Sequence, residues 1–406
     1  MSFHKTLFKR TLLAATLSLA LPLAAQAEAP QQAVPAQIPV AATEPGTLLA
    51  VQAASLPAAP EHASQQLLIS YRSLGTRGEP VVVSGYVLVP KGEPPEGGWP
   101  VLAWAHGTTG VADICALSGV YQDGPAYNYH AAAMGALDPW LAQGYAVVAT
   151  DYQGLGTPGG HPYMNADSQL HAVVDSVRAA RHLLPESLSS SWLVLGHSQG
   201  GAAALAVAAG GQAYGSELQL QGAIAAAPGG YDYAGIAQYV LDNPELAPGV
   251  AAFFPIVLLG AAAADPDIRL DQLVSPAMQP LMNQAGRLCL DGLQEAITES
   301  PESVFQEDAD LKPLLSYLER QSIERMSPTV PVLIIQGTSD ALVDARGTSA
   351  YYQQLCKADK AAFFQSITDG SHRDALLQSW PLAAGFLDYL HGNAQQTGCE
   401  SANREQ

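Results

Sequence analysis

The order of hydrophobic and polar positions predicts alternating strands and helices over most of the chain after Gln65. Residues 67–71 and 81–89 are β-rich runs separated by Gly75 and Gly78, which predicts an antiparallel opening pair. Further strands are predicted at residues 101–105, 145–150, 191–196, 223–227, 332–335 and 363–367, and helices at residues 130–143, 167–184 and 200–209. Such alternation is typical of an α/β fold, in which a mostly parallel sheet carries helices on both faces.

Two segments interrupt this rhythm. Residues 229–326 contain helical pieces at 233–241 and 311–320 and an apolar run at 250–264, which is too short for a membrane span and includes Pro255. We interpret this segment as an inserted cap. Residues 28–60 are rich in Ala and Pro without periodicity and are predicted to be a loose leader. The predicted core therefore comprises residues 61–228 and 327–399, and residues 400–406 form a tail.

The first 27 residues have the organisation of a signal peptide. A basic start is followed by an apolar stretch at residues 11–24 and by the small-x-small sequence Ala25-Gln26-Ala27. The alternative is an N-terminal membrane anchor, but the apolar stretch is shorter than the roughly 20 residues of a span. We therefore expect a secreted protein, periplasmic or extracellular, without a stable membrane anchor.

Composition restricts the partners and the compartment. The formal net charge of the 406 residues is −19, and such an acidic chain repels phosphate backbones, so no nucleic-acid partner is expected. Four cysteines follow the signal peptide, at positions 115, 289, 356 and 399. In an exported chain this number predicts two disulfides, with three pairings possible, and no spacing resembles a metal site.

The sequence Gly196-His197-Ser198-Gln199-Gly200 lies between a predicted strand and an Ala-rich helix. This context gives the G-x-S-x-G pattern its meaning, because the sharp turn exposes the serine and leaves no room for side chains at the glycines. Ser198 is the predicted nucleophile, and the backbone N–H of Gln199 would be half of an oxyanion hole at the positive helix end. The alternative is a Gly-rich turn with a structural serine.

A serine nucleophile needs a base and an acid that orients this base. We assign the base to His372, in a loop after the last predicted strand, rather than to His391 at the end of a helical stretch. We assign the acid to Asp340, after the strand at 332–335, rather than to Asp344, which has the position of a helix N-cap. His197 is interpreted as a lining residue.

The second oxyanion donor is expected from the loop that follows the strand at 101–105. This loop reads His106-Gly107-Thr108-Thr109-Gly110, and it is similar to the His-Gly loops that serve this purpose. We assign the donor to the backbone N–H of Thr108, with Gly107 or Thr109 as alternatives. An ordinary Gly-rich turn is the competing interpretation.

With its candidate serine, acid and histidine in this order, the chain resembles the secretory lipases, the yeast lipase A-like family of the α/β-hydrolase superfamily. The resemblance extends from about residue 65 to Cys399 and rests on residues 110–118, 196–201 and 340–356, the cap around Cys289 and the loop at His372. It implies a serine carboxylesterase or lipase with a helical cap, an ester or lipid substrate, an acyl-enzyme intermediate and no metal or organic cofactor. It also implies the disulfides Cys115–Cys289 and Cys356–Cys399. The chain departs from the family at Thr108, where an Asp is common.

Two other functions use the same sequence features. A secreted serine peptidase or amidase would keep the catalytic groups and cleave a different bond. A non-catalytic binding module on the same fold would ordinarily have lost one of them, whereas all three candidates are present here.

Overall fold

The structure is a computed structural model that describes residues 44–242, 251–298 and 301–393, together with Cys399. The predicted signal peptide, the first part of the predicted leader and the predicted tail lie outside the described residues.

The centre of the fold is one nine-stranded sheet with the order β1-β2-β3-β5-β4-β6-β7-β8-β9. Strands β1 to β3 and the β3–β5 pair are antiparallel, and every other pair is parallel. The predicted opening pair and the mostly parallel sheet are therefore confirmed. The strands are β1 Leu48–Ala53, β2 Ala63–Leu74, β3 Pro80–Pro90, β4 Trp99–Ala105, β5 Ala146–Thr150, β6 Leu188–His197, β7 Gln219–Ala226, β8 Val332–Gly337 and β9 Ala362–Ile367.

The prediction that residues 28–60 form a loose leader is wrong for residues 48–53. Residues 48–53 form strand β1, which pairs with β2 in a register that sets Val51 opposite Ile69. This edge strand has one neighbour, and its side chains are half-buried or exposed, so no alternation of buried and exposed residues marks it in the sequence. Main-chain hydrogen bonds hold it in place.

Helices cover both faces of the sheet and bury its side chains. In β4, Val101, Ala103 and Ala105 belong to one core cluster, and Leu102 and Trp104 belong to the other, as the alternation of a strand requires. The first cluster includes residues of α2 and α3, and the second includes residues of α1 and α12. The helices of this core are α1 Tyr127–Ala142, α2 Ala166–Leu183, α3 Gln199–Tyr214, α10 Ala345–Lys357, α11 Asp374–Leu377 and α12 Ser379–Leu390.

The segment that we predicted to be a cap, called the cap below, lies in the chain between β7 and β8. Its described elements are helical apart from an isolated bridge between Val274 and Phe305. They include α4 Tyr233–Asp242, α5 Phe253–Ala264, α6 Leu270–Leu273, α7 Gln279–Ala285, α8 Leu290–Ala296 and α9 Lys312–Gln321. In the ranges that the structure describes, no helix has the length and apolar character needed to cross a membrane.

Two disulfides fasten distant parts of the chain. Cys115, in the loop after β4, is bonded to Cys289 at the start of α8, and this bond ties the core to the cap. Cys356 in α10 is bonded to Cys399. These are the pairs that the resemblance implied, and disulfides are typical of proteins that fold in an oxidising compartment.

Candidate active site

Ser198 occupies a strained turn between β6 and α3. Its φ of 58° and ψ of −116° lie where a non-glycine residue is rare. The turn is tight because a Cβ atom at Gly196 would lie 1.8 Å from the carbonyl oxygen of Gly200, and one at Gly200 would lie 1.8 Å from that of Ala105. Only glycine fits these two positions, so the G-x-S-x-G pattern follows from the geometry of the turn.

The first residue of α3, Gln199, is held by buried polar groups. Its side-chain amide donates to Gln169 Oε1 at 2.9 Å and to His161 Nε2 at 3.0 Å. His161 can accept because its Nδ1–H donates to the carbonyl of Gln153 and because burial lowers its pKa to about 4, which keeps the ring neutral. The backbone N–H of Gln199, at the helix N-terminus, has no acceptor among the described residues.

Asp340 and His372 meet at the carboxyl end of the parallel strands. Asp340 follows β8, His372 follows β9, and His372 Nδ1 lies 2.7 Å from Asp340 Oδ2. The other carboxylate oxygen accepts the backbone N–H groups of Leu342 and Val343 at 2.8 and 2.9 Å. Because a carboxylate only accepts, Nδ1 carries a proton, and in the neutral ring Nε2 is then the nitrogen with the lone pair.

The Asp340 carboxylate is ionised in this environment. Burial alone would raise its pKa, but the hydrogen bond and charge of His372 and the two backbone N–H groups outweigh burial and lower the pKa below the ordinary value. An ionised acid holds the histidine in one tautomer and stabilises a positive charge on its ring.

The two competitors from the sequence lie elsewhere. Asp344 is the N-cap of α10, as predicted; its side chain accepts the N–H of Arg346 and pairs with the Arg346 guanidinium. His391 is the C-cap of α12. In the described chain neither one hydrogen-bonds to Asp340 or His372.

His197 brings the His372 loop next to the turn. Its Nε2 lies 3.1 Å from the carbonyl oxygen of His372, and the two imidazole rings are 4.7 Å apart between centroids. His197 directly precedes Ser198 in the chain, so the His372 loop contacts the residue next to the serine. Among the described residues no hydrogen bond joins Ser198 Oγ to His372 Nε2, a contact that hydrolases often complete only with substrate bound.

The loop after β4 is anchored at three points. The N–H of Gly107 donates to the hydroxyl of Tyr129 at 2.6 Å, and the hydroxyl of Thr108 is hydrogen-bonded to that of Tyr163 at 2.7 Å. The carbonyl of the next residue, Thr109, accepts the N–H of Leu290 from the cap. Within the described ranges the N–H of Thr108 has no acceptor, whereas that of Gly107 is already used.

Sequence reasoning missed several side chains that contact this site, and three of them touch the groups assigned to catalysis or their loops directly. They are Tyr129 in α1, Tyr163 before α2, and Gln336 in β8, whose amide donates to Asp340 Oδ2 at 3.0 Å. None belongs to a motif, and no pattern distinguishes these residues from ordinary core residues. Over the residues that the structure describes, no group of three or more His, Cys, Asp or Glu side chains is suited to hold a metal ion.

Known structures share this architecture. Lipase A of Candida antarctica in its closed state is similar with a TM-score of 0.75 and 19% identity, over 89% of this chain and 86% of that one. A putative hydrolase of Legionella pneumophila has a TM-score of 0.68 and 19% identity, over 86% and 99%. The rice cell wall degrading esterase LipA of Xanthomonas oryzae has a TM-score of 0.63 and 22% identity, over 84% and 95%. At these identities the similarity shows the fold, which is that of the α/β-hydrolases.

The family follows from the sequence match. Residues 130–397, about two thirds of the chain, match the model of the secretory lipases. No functionally curated protein sequence matches the chain. The chain belongs to the secretory lipase family and is a carboxylic ester hydrolase.

Proposed function

We propose that the protein is a secreted serine esterase or lipase that cleaves acyl esters with Ser198 as nucleophile, His372 as base and Asp340 as orienting acid. The observation that carries this proposal is the 2.7 Å hydrogen bond between Asp340 and His372 Nδ1, in a loop that contacts His197, the residue before Ser198. It leaves Nε2 as the ring nitrogen that can accept the serine proton.

The reaction is a two-step acyl transfer. His372 Nε2 takes the proton of Ser198 Oγ, the oxygen attacks the ester carbonyl, and the alcohol leaves with the proton that His372 returns. Water then attacks the acyl-enzyme by the same route and releases the acid. Asp340 stays ionised throughout and stabilises the imidazolium that forms in each step.

The negative charge on the carbonyl oxygen rests on two backbone donors. We assign these to Gln199 and Thr108, because both N–H groups lack an acceptor in the described chain. The alternative donor Gly107 is disfavoured by its bond to Tyr129. The N–H of Thr109 also has no acceptor in the described chain, so Thr109 stays the alternative to Thr108. The helix dipole of α3 adds to the stabilisation, because Gln199 is at its positive end.

Export of the protein is proposed on two grounds. The first 27 residues have the pattern of a signal peptide, and the two disulfides are typical of proteins in an oxidising compartment. The substrate is proposed as an ester or lipid, in agreement with the family.

Fluorophosphonate labelling tests the nucleophile. We expect the mature protein to be labelled at Ser198, as peptide mass spectrometry would show, and S198A to be unlabelled and inactive. S339A is the matched control, because this serine is in the turn next to Asp340 and its backbone N–H donates to Gly370. An unlabelled but folded wild-type protein would favour a binding module.

A paired assay tests the bond. Hydrolysis of p-nitrophenyl esters from C2 to C16 is compared with that of peptide anilides at equal enzyme concentration. We expect measurable turnover only with the esters. A clear preference for the anilides would replace the esterase proposal by a peptidase or amidase.

A further inference from the structure

Three hydrogen bonds connect the loop of the proposed oxyanion hole to the loop of the proposed base. The N–H of Gly107 donates to Tyr129 at 2.6 Å, the Tyr129 hydroxyl lies 3.0 Å from His197 Nδ1, and His197 Nε2 lies 3.1 Å from the carbonyl of His372. Tyr129 and His197 are both buried. The series therefore runs through the protein interior, where hydrogen bonds restrict motion most strongly.

The direction of every proton in this series is determined. The His372 carbonyl only accepts, so His197 Nε2 carries a proton and donates it. Because burial keeps His197 neutral and its one proton is on Nε2, Nδ1 is unprotonated and accepts the proton of the Tyr129 hydroxyl, whose oxygen accepts from Gly107. A neutral His197 with the proton on Nε2 satisfies all three bonds.

The surroundings of His197 keep it neutral. Burial is the main cause that lowers its pKa, to about 3, and the adjacent His372 lowers it further, as does Arg373. The guanidinium of Arg373 lies over the Tyr129 ring at 5.7 Å from its centroid. The hydrogen bond to the His372 carbonyl and the charge of Asp340 act in the opposite direction, but burial outweighs both and the pKa stays lowered. His197 is thus unsuited to be a second base and suited to be a fixed connector.

We propose that Tyr129 and His197 are positioning residues that hold the backbones of Gly107 and His372 in fixed places relative to Ser198. His197 is rigidly placed because it is the last residue of β6, next to the nucleophile in the chain. Through its two ring nitrogens it fixes the base loop on one side and, through Tyr129, the oxyanion loop on the other. This inference rests on the proposed function, since it assigns a role relative to the proposed catalytic groups.

The substitution Tyr129→Phe tests the series with little disturbance. It removes one oxygen and keeps the ring that packs on His197 and under Arg373. We expect kcat to fall about ten- to a hundredfold with KM nearly unchanged, because small displacements of catalytic groups have effects of this size. Active sites are counted by complete fluorophosphonate labelling, so that a loss of folded protein does not count as a loss of rate.

Tyr86→Phe is the matched control. Tyr86 is also buried, and its hydroxyl has no partner in the described chain. We expect its kcat to stay within about twofold of wild type, because no hydrogen bond is lost. Equal kcat values for Y129F, Y86F and wild type would overturn the inference.

Two substitutions at His197 test whether its hydrogen bonds, and not only its volume, position the two loops. His197→Gln keeps an N–H that can reach the His372 carbonyl, whereas His197→Phe keeps the ring and loses both bonds. We expect H197Q to retain more kcat than H197F, and Y129F/H197F to be no slower than H197F, because both changes break the same series. The positioning role of His197 would be contradicted if the kcat losses of Y129F and H197F added up in the double variant. Equal kcat values for H197Q and H197F would also contradict it. Failure of the proposed function is distinct, because the wild-type protein itself would then neither hydrolyse esters nor be labelled at Ser198.

Discussion

Gln336 Nε2 lies 3.0 Å from Asp340 Oδ2, the same carboxylate oxygen that accepts the hydrogen bond of His372. Gln336 is buried in β8, and its two amide hydrogens are shared among Asp340 Oδ2 and the carbonyl oxygens of Gly337 and Val343. The acid is therefore fixed from its own strand, as well as by the turn that contains Leu342.

This contact predicts that Gln336→Met slows turnover. Asp340 Oδ2 would lose one of its two donors, and a hydrogen bond to a charged group contributes about 1.5–3 kcal/mol. We expect kcat for p-nitrophenyl butyrate to fall about tenfold, with a smaller change in KM. The exposed Gln353 of α10 provides the control Q353M, which should match wild type. Similar kcat values for Q336M and Q353M would show that the donor is dispensable.

The choice between Asp340 and Asp344 can be decided by matched substitutions. D340N keeps the shape of the side chain but removes the charge that orients His372, and we expect kcat to fall by about 10²- to 10⁴-fold. D344N should stay within about twofold of wild type, because Asn is as good a helix N-cap as Asp. Steady-state kinetics on both variants is the measurement. A large loss in D344N with a small one in D340N would reverse the assignment.

The two disulfides should differ in their effect on activity. In a chain-entropy model, loss of Cys115–Cys289 costs about 5 kcal/mol and loss of Cys356–Cys399 about 4 kcal/mol, because the pairs span 174 and 43 residues. Only the first is close to the proposed oxyanion loop: Cys289 precedes Leu290, whose N–H donates to the carbonyl of Thr109.

We therefore expect C115A/C289A to lose both stability and kcat, and C356A/C399A to lose stability while its folded fraction keeps its kcat. Urea unfolding and kinetics normalised to labelled sites measure the two effects. Equal kcat in both double variants would argue against a link between the cap and the oxyanion loop.

Buried His130 predicts a loss of stability in acid. Burial lowers its pKa to about 4, against about 6.5 in the unfolded chain. The unfolded chain then binds a proton between these values that the native protein does not bind. The contribution of neutral His130 is thus fully present above about pH 6.5 and is lost as the pH falls towards 4.

The variant His130→Gln isolates this effect. We expect it to lose less unfolding free energy than wild type between about pH 7.5 and 5, by on the order of 1–2 kcal/mol. His62, which is partly exposed and pairs with Asp138, supplies the control H62Q. Parallel pH dependences of H130Q and wild type would mean that the pKa of His130 is not lowered in the native protein.

Local sequence was sufficient to predict the strands and helices of the core and the tight turn at Ser198. The predicted strands and helices of the core recur in the structure with small shifts of their ends, because buried strands and amphipathic helices differ in period. Gly196 and Gly200 could be interpreted from the motif and its flanks alone, since their lack of a side chain is what the turn needs. Strand β1 was missed because an edge strand with one neighbour imposes no burial pattern on its residues.

Contacts between residues far apart in the chain required the tertiary structure. Asp340 and His372 are 32 residues apart, and they meet because β8 and β9 are parallel neighbours whose following loops lie on one edge of the sheet. The series through Tyr129 and His197 joins residues from α1, β6 and two loops, and hydrogen-bond direction exists only once these atoms are in place.

The sequence by itself determined which residues could carry the chemistry, because residue type, chain order and local turns are properties of short segments. The tertiary structure alone decided which of them touch, which proton each imidazole holds and which N–H groups are left without an acceptor. These depend on distances of a few ångströms between strands and loops, and only the packed sheet sets such distances.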